Sequence, residues 1–220
     1  MVLLAIDRST EVQSVALAAD GKIAGRIFDG ADSRSADWPV RVRGFLADNG
    51  LEFHALDRIV VGMGPGSFAG IRAALAFAQG LAIGIKARRA DLAAEPVVYG
   101  LPSAAALARD EGETAVVGDA RRGLFWVVVY HGEKVAAEFR LVSREELPAA
   151  VPESAAVVTP DGARIGEALA EMFGSRFAAA SAGMPCSFPS AERLAQIALG
   201  FPDLLVPEPV PIYLSPAVRT

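Results

Sequence analysis

Short apolar runs, closed by glycine or aspartate, alternate along this chain with longer segments whose apolar residues recur at helical spacing. Val2 to Ile6 reads as a buried strand. Gln13 to Ala19 and Lys22 to Phe28 read as two further strands joined at Asp20-Gly21, a tight-hairpin dipeptide. Ala36 to Asn49 reads as a helix closed by Gly50. The strand Arg58 to Met63, an apolar helix from Ala73 to Ile85, the short strand Pro96 to Tyr99 and a helix from Pro102 to Asp110 follow. The order then recurs. Thr114 to Gly118 is a strand, and Leu124 to Tyr130 and Lys134 to Leu141 flank the turn His131-Gly132-Glu133. Ser143-Arg144-Glu145-Glu146 is a capping box before a short helix. Ala155 to Thr159 is a strand and Asp161 to Phe173 a helix. Both halves therefore spell β-β-β-α-β-α, with Asp7 and Asp119 at matching places after the first strand of each. Pro189 to Leu199 adds a helix, and the tail from Pro202 to Pro216 is expected to be mostly extended.

The junction between the fourth strand and its helix, Gly64-Pro65-Gly66-Ser67-Phe68-Ala69-Gly70-Ile71-Arg72, has two readings. Strand, glycine turn and helix start can aim backbone N–H groups at an anion. The spacing matches neither G-x-x-x-x-G-K-[ST], nor G-x-G-x-x-G, nor G-x-S-x-G. Ser67, placed just before Phe68, suits a helix N-cap. The second reading is close packing. From Ala73 to Ile85 the only polar side chain is Gln79, so the helix is expected to be covered on all sides. Ala76, Gly80 and Gly84 fall at i, i+4 and i+8 and form a small-residue ridge, flanked by Ile71, Leu75, Phe77 and Leu81. Either this is the central helix of one large domain, or it lies between its own sheet and a partner's helix, with Val40, Val42 and Phe45 of the preceding helix beside it. The Ala73–Ile85 run is too short, and too interrupted by Arg72 and Gln79, to span a membrane.

At 220 residues and mean hydropathy +0.35, the chain can hold a well-filled fold of one large domain or two small ones. One cysteine, Cys186, excludes an internal disulfide and fits a reducing cytoplasm. The first residues lack the basic start and the long apolar run of a secretion signal. A formal charge of −5 argues against strong nucleic-acid binding by the chain as a whole. The basic clusters Arg41 with Arg43, Lys86 with Arg88 and Arg89, and Arg121 with Arg122 each read as a solvated face. The only histidines, His54 and His131, have no second histidine or cysteine at ligand spacing, so no metal site is expected. A lone carboxylate at Asp7 reads as a turn cap.

The duplicated unit resembles the actin, Hsp70 and sugar-kinase superfamily (ASKHA, ribonuclease-H-like), a two-lobed α/β fold. That resemblance implies lobes at 1–100, with partner-binding helices 36–49 and 67–86, and 101–220, a smaller lobe with an extended tail. It also makes Asp7, Ser9, Asp119 and Arg121 candidates for vestigial nucleotide loops, although Asp119-Ala120-Arg121-Arg122-Gly123 departs from a glycine-rich phosphate loop. Five segments in order are similar to the TsaB (YeaZ) family. They are Ala5 to Thr10, Gly64 to Arg72, Gly100 to Ala108, Asp119 to Gly123, and Pro211-Ile212-Tyr213-Leu214. The glycine segment matches the family's G-P-G-S-F-T-G-I-R with Ala69 in place of threonine. Two other departures are Asp32 to Asp37, where the family usually has His-Ser, and Ser215, where it has arginine. The resemblance implies a non-catalytic, cytoplasmic subunit without a cofactor of its own. Such a subunit pairs with a homologous, metal-bearing transferase, TsaD, which places a threonylcarbamoyl group on N6 of adenosine 37 in tRNAs reading codons that start with A. Weak ATP or ADP at the heterodimer interface, a TsaE-type ATPase on the pair, tRNA contact only through the complex, and a homodimer when the partner is absent belong to the same expectation. The metal-bearing relatives carry H-x-x-x-H on the helix corresponding to Ser103–Asp110, where this chain has no histidine. The alternative is a stand-alone small-molecule kinase or peptidase of the same fold.

Overall fold

The computed structural model describes residues 1–28, 37–88, 97–177 and 188–214. The sequence features at Asp32 to Ala36, Arg89, Pro96, Cys186 and Ser215 lie outside them. The chain forms two units, one built from 1–106 and 189–212, the other from 107–188 and 213–220.

In the first unit, β1 (Leu3–Asp7), β2 (Gln13–Ala19) and β3 (Lys22–Phe28) form an antiparallel meander. The β2–β3 turn puts Asp20 at φ 51° and Gly21 at φ 75°, the left-handed pair that a two-residue hairpin requires. Helix α1 (Trp38–Asp48) leads to β4 (Arg58–Gly62), helix α2 (Phe68–Arg88) and β5 (Val97–Leu101). β4 runs parallel to β1 and β5 parallel to β4, which gives the order β3-β2-β1-β4-β5. Parallel neighbours need crossovers, and α1 and α2 supply them. The core lies between sheet and helices, with Leu4, Ile6, Val15, Leu17, Ile59 and Val61 facing Trp38, Phe45, Leu46, Ile71, Leu75 and Ala78.

The second unit repeats the plan with β6 (Glu113–Arg121), β7 (Leu124–His131), β8 (Lys134–Ser143), α3 (Leu147–Ala150), β9 (Ala156–Val158) and α4 (Gly162–Phe173). Its sheet order is β8-β7-β6-β9, with β9 parallel to β6. The capping box forms as its spacing predicts. Ser143 N–H donates to Glu146 Oε2 at 2.8 Å, and Glu146 N–H donates to Ser143 Oγ at 3.3 Å.

Three expectations change. The boundary at residue 100 does not close the first unit, because helix α5 (Ala191–Gly200) and β10 (Val206–Pro207) return to it. α5 buries Ala191, Leu194, Ala195, Ile197 and Ala198, and its start is held by Ala191 N–H donating to Ser14 Oγ at 2.8 Å. β10 pairs with β5, and Ile212 N–H donates to Met63 O at 2.9 Å. The expected helix Pro102–Asp110 is only a 3₁₀ segment, Ser103–Leu107, because Ser103 turns both its N–H and its hydroxyl to Gly64. Finally, α2 reaches 21 residues, long and apolar enough to cross a bilayer by length and composition alone, so it is not too short. Its inner face is part of the first unit's core.

Candidate functional site

The glycine segment is a packed joint and not an open cradle. Ser67 N–H donates to Ser9 O at 2.6 Å and Gly64 N–H to Ser103 Oγ at 2.9 Å. Ser67 caps α2, its Oγ accepting from Gly70 N–H at 3.2 Å. The N–H groups of Gly64, Ser67 and Gly70 are thus taken up within the chain. The glycines allow the backbone to close on the β1–β2 turn. A Cβ at Gly66 would stand 2.1 Å from Ser9 O, and one at Gly70 would stand 2.1 Å from Arg8 O. The Gly64–Pro65 peptide is cis. Arg72 lies over the Phe68 ring, 4.9 Å from its centroid.

Asp7 ends β1 beneath this joint and is fully buried. Its Oδ1 accepts from Ser9 N–H at 2.8 Å and from Ser9 Oγ at 2.7 Å, the turn-capping role expected of it. Oδ2 makes no hydrogen bond of good geometry, and Gly62 and Ser103 close over it. Burial pushes the Asp7 carboxyl above its ordinary value of 3.8, against the opposing pull of Ser103 and Ser9. The folded chain therefore holds this proton more tightly than the unfolded one. The stability this provides is complete in acid and is lost as pH rises through the raised value. Asp7→Asn keeps the Oδ1 acceptor and removes the titration. Its Tm is expected to exceed that of the parent by a few degrees at pH 8, the response of a chain this size to about 1 kcal/mol, and to converge with it near pH 4. Thermal melts across pH check this, and a variant less stable at pH 8 contradicts it.

Helix α2 does not lie buried on all sides. Its inner residues Gly70, Ile71, Ala74, Leu75, Ala78 and Ile85 are core, whereas Ala69, Ala73, Ala76, Gly80, Ile83 and Ala87 form an exposed stripe. Ile83 is 69% exposed and Phe68 57%. α1 lies beside it, joined by the edge-to-face contact of Trp38 and Phe77 at 5.1 Å, and turns Val40 (68% exposed) and Ala47 outward. A Cβ at Gly44, Gly80 or Gly84 would meet nothing within 4 Å among the described residues. Gly80 and Gly84 each cost roughly 1 kcal/mol against alanine inside a helix, and no contact among the described residues accounts for that.

The structure thus divides the residues that the sequence groups as an interface. Val40, Ala76, Gly80 and Gly84 are exposed, and Phe77 and Leu81 are half-buried. Phe45, Ile71 and Leu75 are corrected to core, as is Val42, because they face the sheet. Ile83, Ala69 and Ala73 belong to the exposed stripe and Phe68 is exposed at its start, and the sequence pattern does not group them with the ridge. Counting from Ala76 at i−7, i−3, i+4 and i+7 finds most of them. A helix apolar all round gives no sign of which side the sheet takes.

The second loop gathers Asp119, Arg121, Asp161 and Arg164. Asp119 Oδ2 meets Arg164 Nε at 2.9 Å and an Arg121 terminal nitrogen at 3.4 Å. Arg121 N–H donates to Asp119 Oδ1, and Asp119 N–H to Asp161 Oδ2, each at 2.8 Å. Arg164 also pairs with Asp161. Burial pushes the Asp161 carboxyl up, opposed by the Asp119 N–H and the Arg164 charge. The sequence reading missed Asp161 and Arg164, which come to Asp119 only because β9 lies parallel to β6. Among the described residues no group of three His, Cys, Asp or Glu side chains could hold a metal ion.

Residues 36–138 match the family described as TsaD: tRNA N6-adenosine threonylcarbamoyltransferase. The tRNA threonylcarbamoyladenosine biosynthesis protein TsaB of Escherichia coli is 32% identical over 151 residues, 62% of this chain and 62% of that protein. Its namesake in Haemophilus influenzae is 33% identical over 141 residues, 63% of this chain and 58% of that protein. The matches therefore span less than two thirds of these relatives' length. YeaZ from Pseudomonas aeruginosa superposes with TM-score 0.72 at 27% identity, covering 97% of this chain and 99% of that one. A second Pseudomonas aeruginosa structure, described as an uncharacterized protein with similarity to peptidase YEAZ, gives TM-score 0.71 at 24% identity with the same coverage, and speaks to the fold alone. The duplicated α/β architecture is the actin-like, ribonuclease-H-like fold.

Proposed function

The chain belongs to the TsaB/YeaZ family, and we propose that it serves tRNA threonylcarbamoyladenosine synthesis as a non-catalytic subunit that holds and activates a homologous TsaD-type transferase. The observation that carries this reading is the exposed α1–α2 face. Small and apolar residues line it, Gly80 and Gly84 meet no packing partner among the described residues, and Val40, Phe68 and Ile83 are each more than half exposed. Contiguous exposed apolar surface marks an interaction site, and small residues let a second helix approach to about 8 Å. The match to the TsaD family over 36–138 includes both helices, so a homologous partner would offer a corresponding pair. The same face would pair two copies of this chain when the partner is absent.

A non-catalytic role is supported by the missing H-x-x-x-H near Ser103–Leu107 and by the closed glycine joint, which leaves Asp7 buried with no open phosphate cradle beside it. Within this reading the transferase brings the metal, any ATP or ADP binds at the joint between subunits, a TsaE-type ATPase docks on the pair, and the complex works in the cytoplasm. Reconstitution tests it. The TsaD homologue from the same genome, given threonylcarbamoyl-AMP and unmodified tRNA, is expected to make threonylcarbamoyladenosine at least tenfold faster with this chain than without it (about 1.4 kcal/mol). Equal rates with and without the chain, or modification by this chain alone, would overturn the proposal.

A further inference from the structure

We propose that the tip of the β6–β7 hairpin, Arg121 and Arg122 backed by Arg164, is a contact for the phosphodiester backbone of RNA. The inference rests on the tRNA role proposed above and assigns a surface to it. The sequence alone reads Arg121-Arg122 as a solvated face, and the backbone geometry changes that reading. Arg121 has φ 68° and Arg122 φ 54°, followed by Gly123 at φ 78°. Arg122 occupies the first position of the two-residue turn between Arg121 and Leu124, where asparagine, aspartate or glycine is the unstrained choice. Arg121 sits at the register shift next to it, also left-handed. Consecutive L side chains in this region are held against their preference, and such strain collects where a side chain must be presented.

The surroundings fix Arg121 and Arg164 in place while leaving donors available. Asp119 accepts the Arg121 N–H at the bulge, and its Oδ2 then stands between the guanidiniums of Arg121 and Arg164. One carboxylate oxygen takes one N–H from each, and a guanidinium has five. Arg121 keeps 67% of its side chain exposed and Arg164 40%, whereas Asp119 keeps 15% and Asp161 16%. The carboxylates therefore face inward and the guanidiniums outward. Arg122 is exposed at the tip and makes no side-chain hydrogen bond or ion pair among the described residues.

The shape selects the ligand. Small molecules are enclosed in clefts, but these side chains are exposed on a hairpin turn. A cavity of the first unit is lined by Ser14, Arg26, Ser190 and Glu192, and one of the second by Arg109, Glu153 and Arg176; neither includes the hairpin tip. Outward guanidiniums on a projecting turn fit a chain of phosphates running past it. The acidity of the whole chain keeps such a contact weak alone, so it would orient an RNA already held elsewhere on a complex.

The test uses the full chain, alone and with its TsaD homologue, binding fluorescent unmodified tRNA across a salt series, with ATP as a second ligand. The double variant Arg121→Glu/Arg122→Glu is expected to weaken tRNA binding about tenfold and to lower the slope of log K against log salt by about 1.5, at roughly 0.7–0.9 per phosphate contact. Arg122→Gly relieves the turn. It is expected to raise Tm while still weakening tRNA binding, which separates presentation from folding. Unchanged tRNA affinity and slope in the double variant, loss of ATP or partner binding without loss of tRNA binding, or no tRNA binding by either sample would overturn the inference. Failure here, with the pair still forming and still modifying tRNA, leaves the proposed function standing; failure of the pair to form strikes that reading instead.

Discussion

Gly80→Arg and Ala76→Arg are each expected to abolish pairing with the TsaD-type subunit while leaving the isolated chain folded. Both positions lie on the exposed stripe of α2, and a Cβ at Gly80 meets nothing within 4 Å. In the isolated chain the new guanidinium extends into water. Arginine is a better helix former than glycine by roughly 0.8 kcal/mol, so Gly80→Arg should if anything raise Tm. In the pair, the same side chain stands where two helices would meet over small residues. Its bulk forces the helices apart, or its charge is buried without a partner, at a cost of about 3 kcal/mol or more. That is more than a hundredfold in Kd. Titration calorimetry on the two variants, with circular dichroism melts alongside, checks both halves of the expectation. A variant that melts early would say nothing about docking, so Gly80→Arg, with its expected gain in stability, is the sharper of the two. Binding within threefold of the parent would place the interface elsewhere.

The second large effect separates two glycines of the same helix. Gly70→Ala is expected to destabilise the first unit by about 3 kcal/mol, a fall in Tm of roughly 6–12 °C. Gly80→Ala is expected to stabilise it by about 1 kcal/mol. Helix propensity alone predicts a gain at both. The difference lies in what the added methyl meets. At Gly70 it would stand 2.1 Å from Arg8 O and 3.1 Å from Ser67 Oγ, so either the β1–β2 turn or the start of α2 must move. The first contact is backbone, which has no rotamer to escape into. Differential scanning calorimetry reads both signs. Equal stabilisation by the two substitutions would mean that the glycine joint is loose enough to open towards an anion.

Most of the architecture was legible in the sequence because both signals it needs are local. Period-two and period-3.6 patterns placed the strands and helices of both halves, and Asp20-Gly21 marked its hairpin by the left-handed backbone it requires. Ser67 as N-cap and Asp7 as turn cap were legible for the same reason, each bonding within a few residues of itself. What the sequence could not supply was which face points where. α2 is apolar around its whole circumference, so its pattern is the same whether Leu75 or Ile83 meets the sheet; Ile71 and Leu75, expected to flank a partner interface, and Phe45, whose pattern fits interface and core alike, are core. The return of α5 to the first sheet was hidden because its partner, Ser14, is distant in sequence. The Asp119–Arg164 pairing was hidden for a related reason: it exists only where two parallel strands end side by side. The helix expected at Pro102–Asp110 failed through a tertiary competitor, Gly64, which takes the Ser103 groups that would have started it.

Native mass spectrometry of this chain mixed with the TsaD homologue from the same genome tests the central claim most directly. A 1:1 complex replacing the free species, absent when the mixture contains Gly80→Arg, is the predicted result. Two unassociated proteins at every salt concentration tried, or a complex that forms equally well with Gly80→Arg, would contradict it.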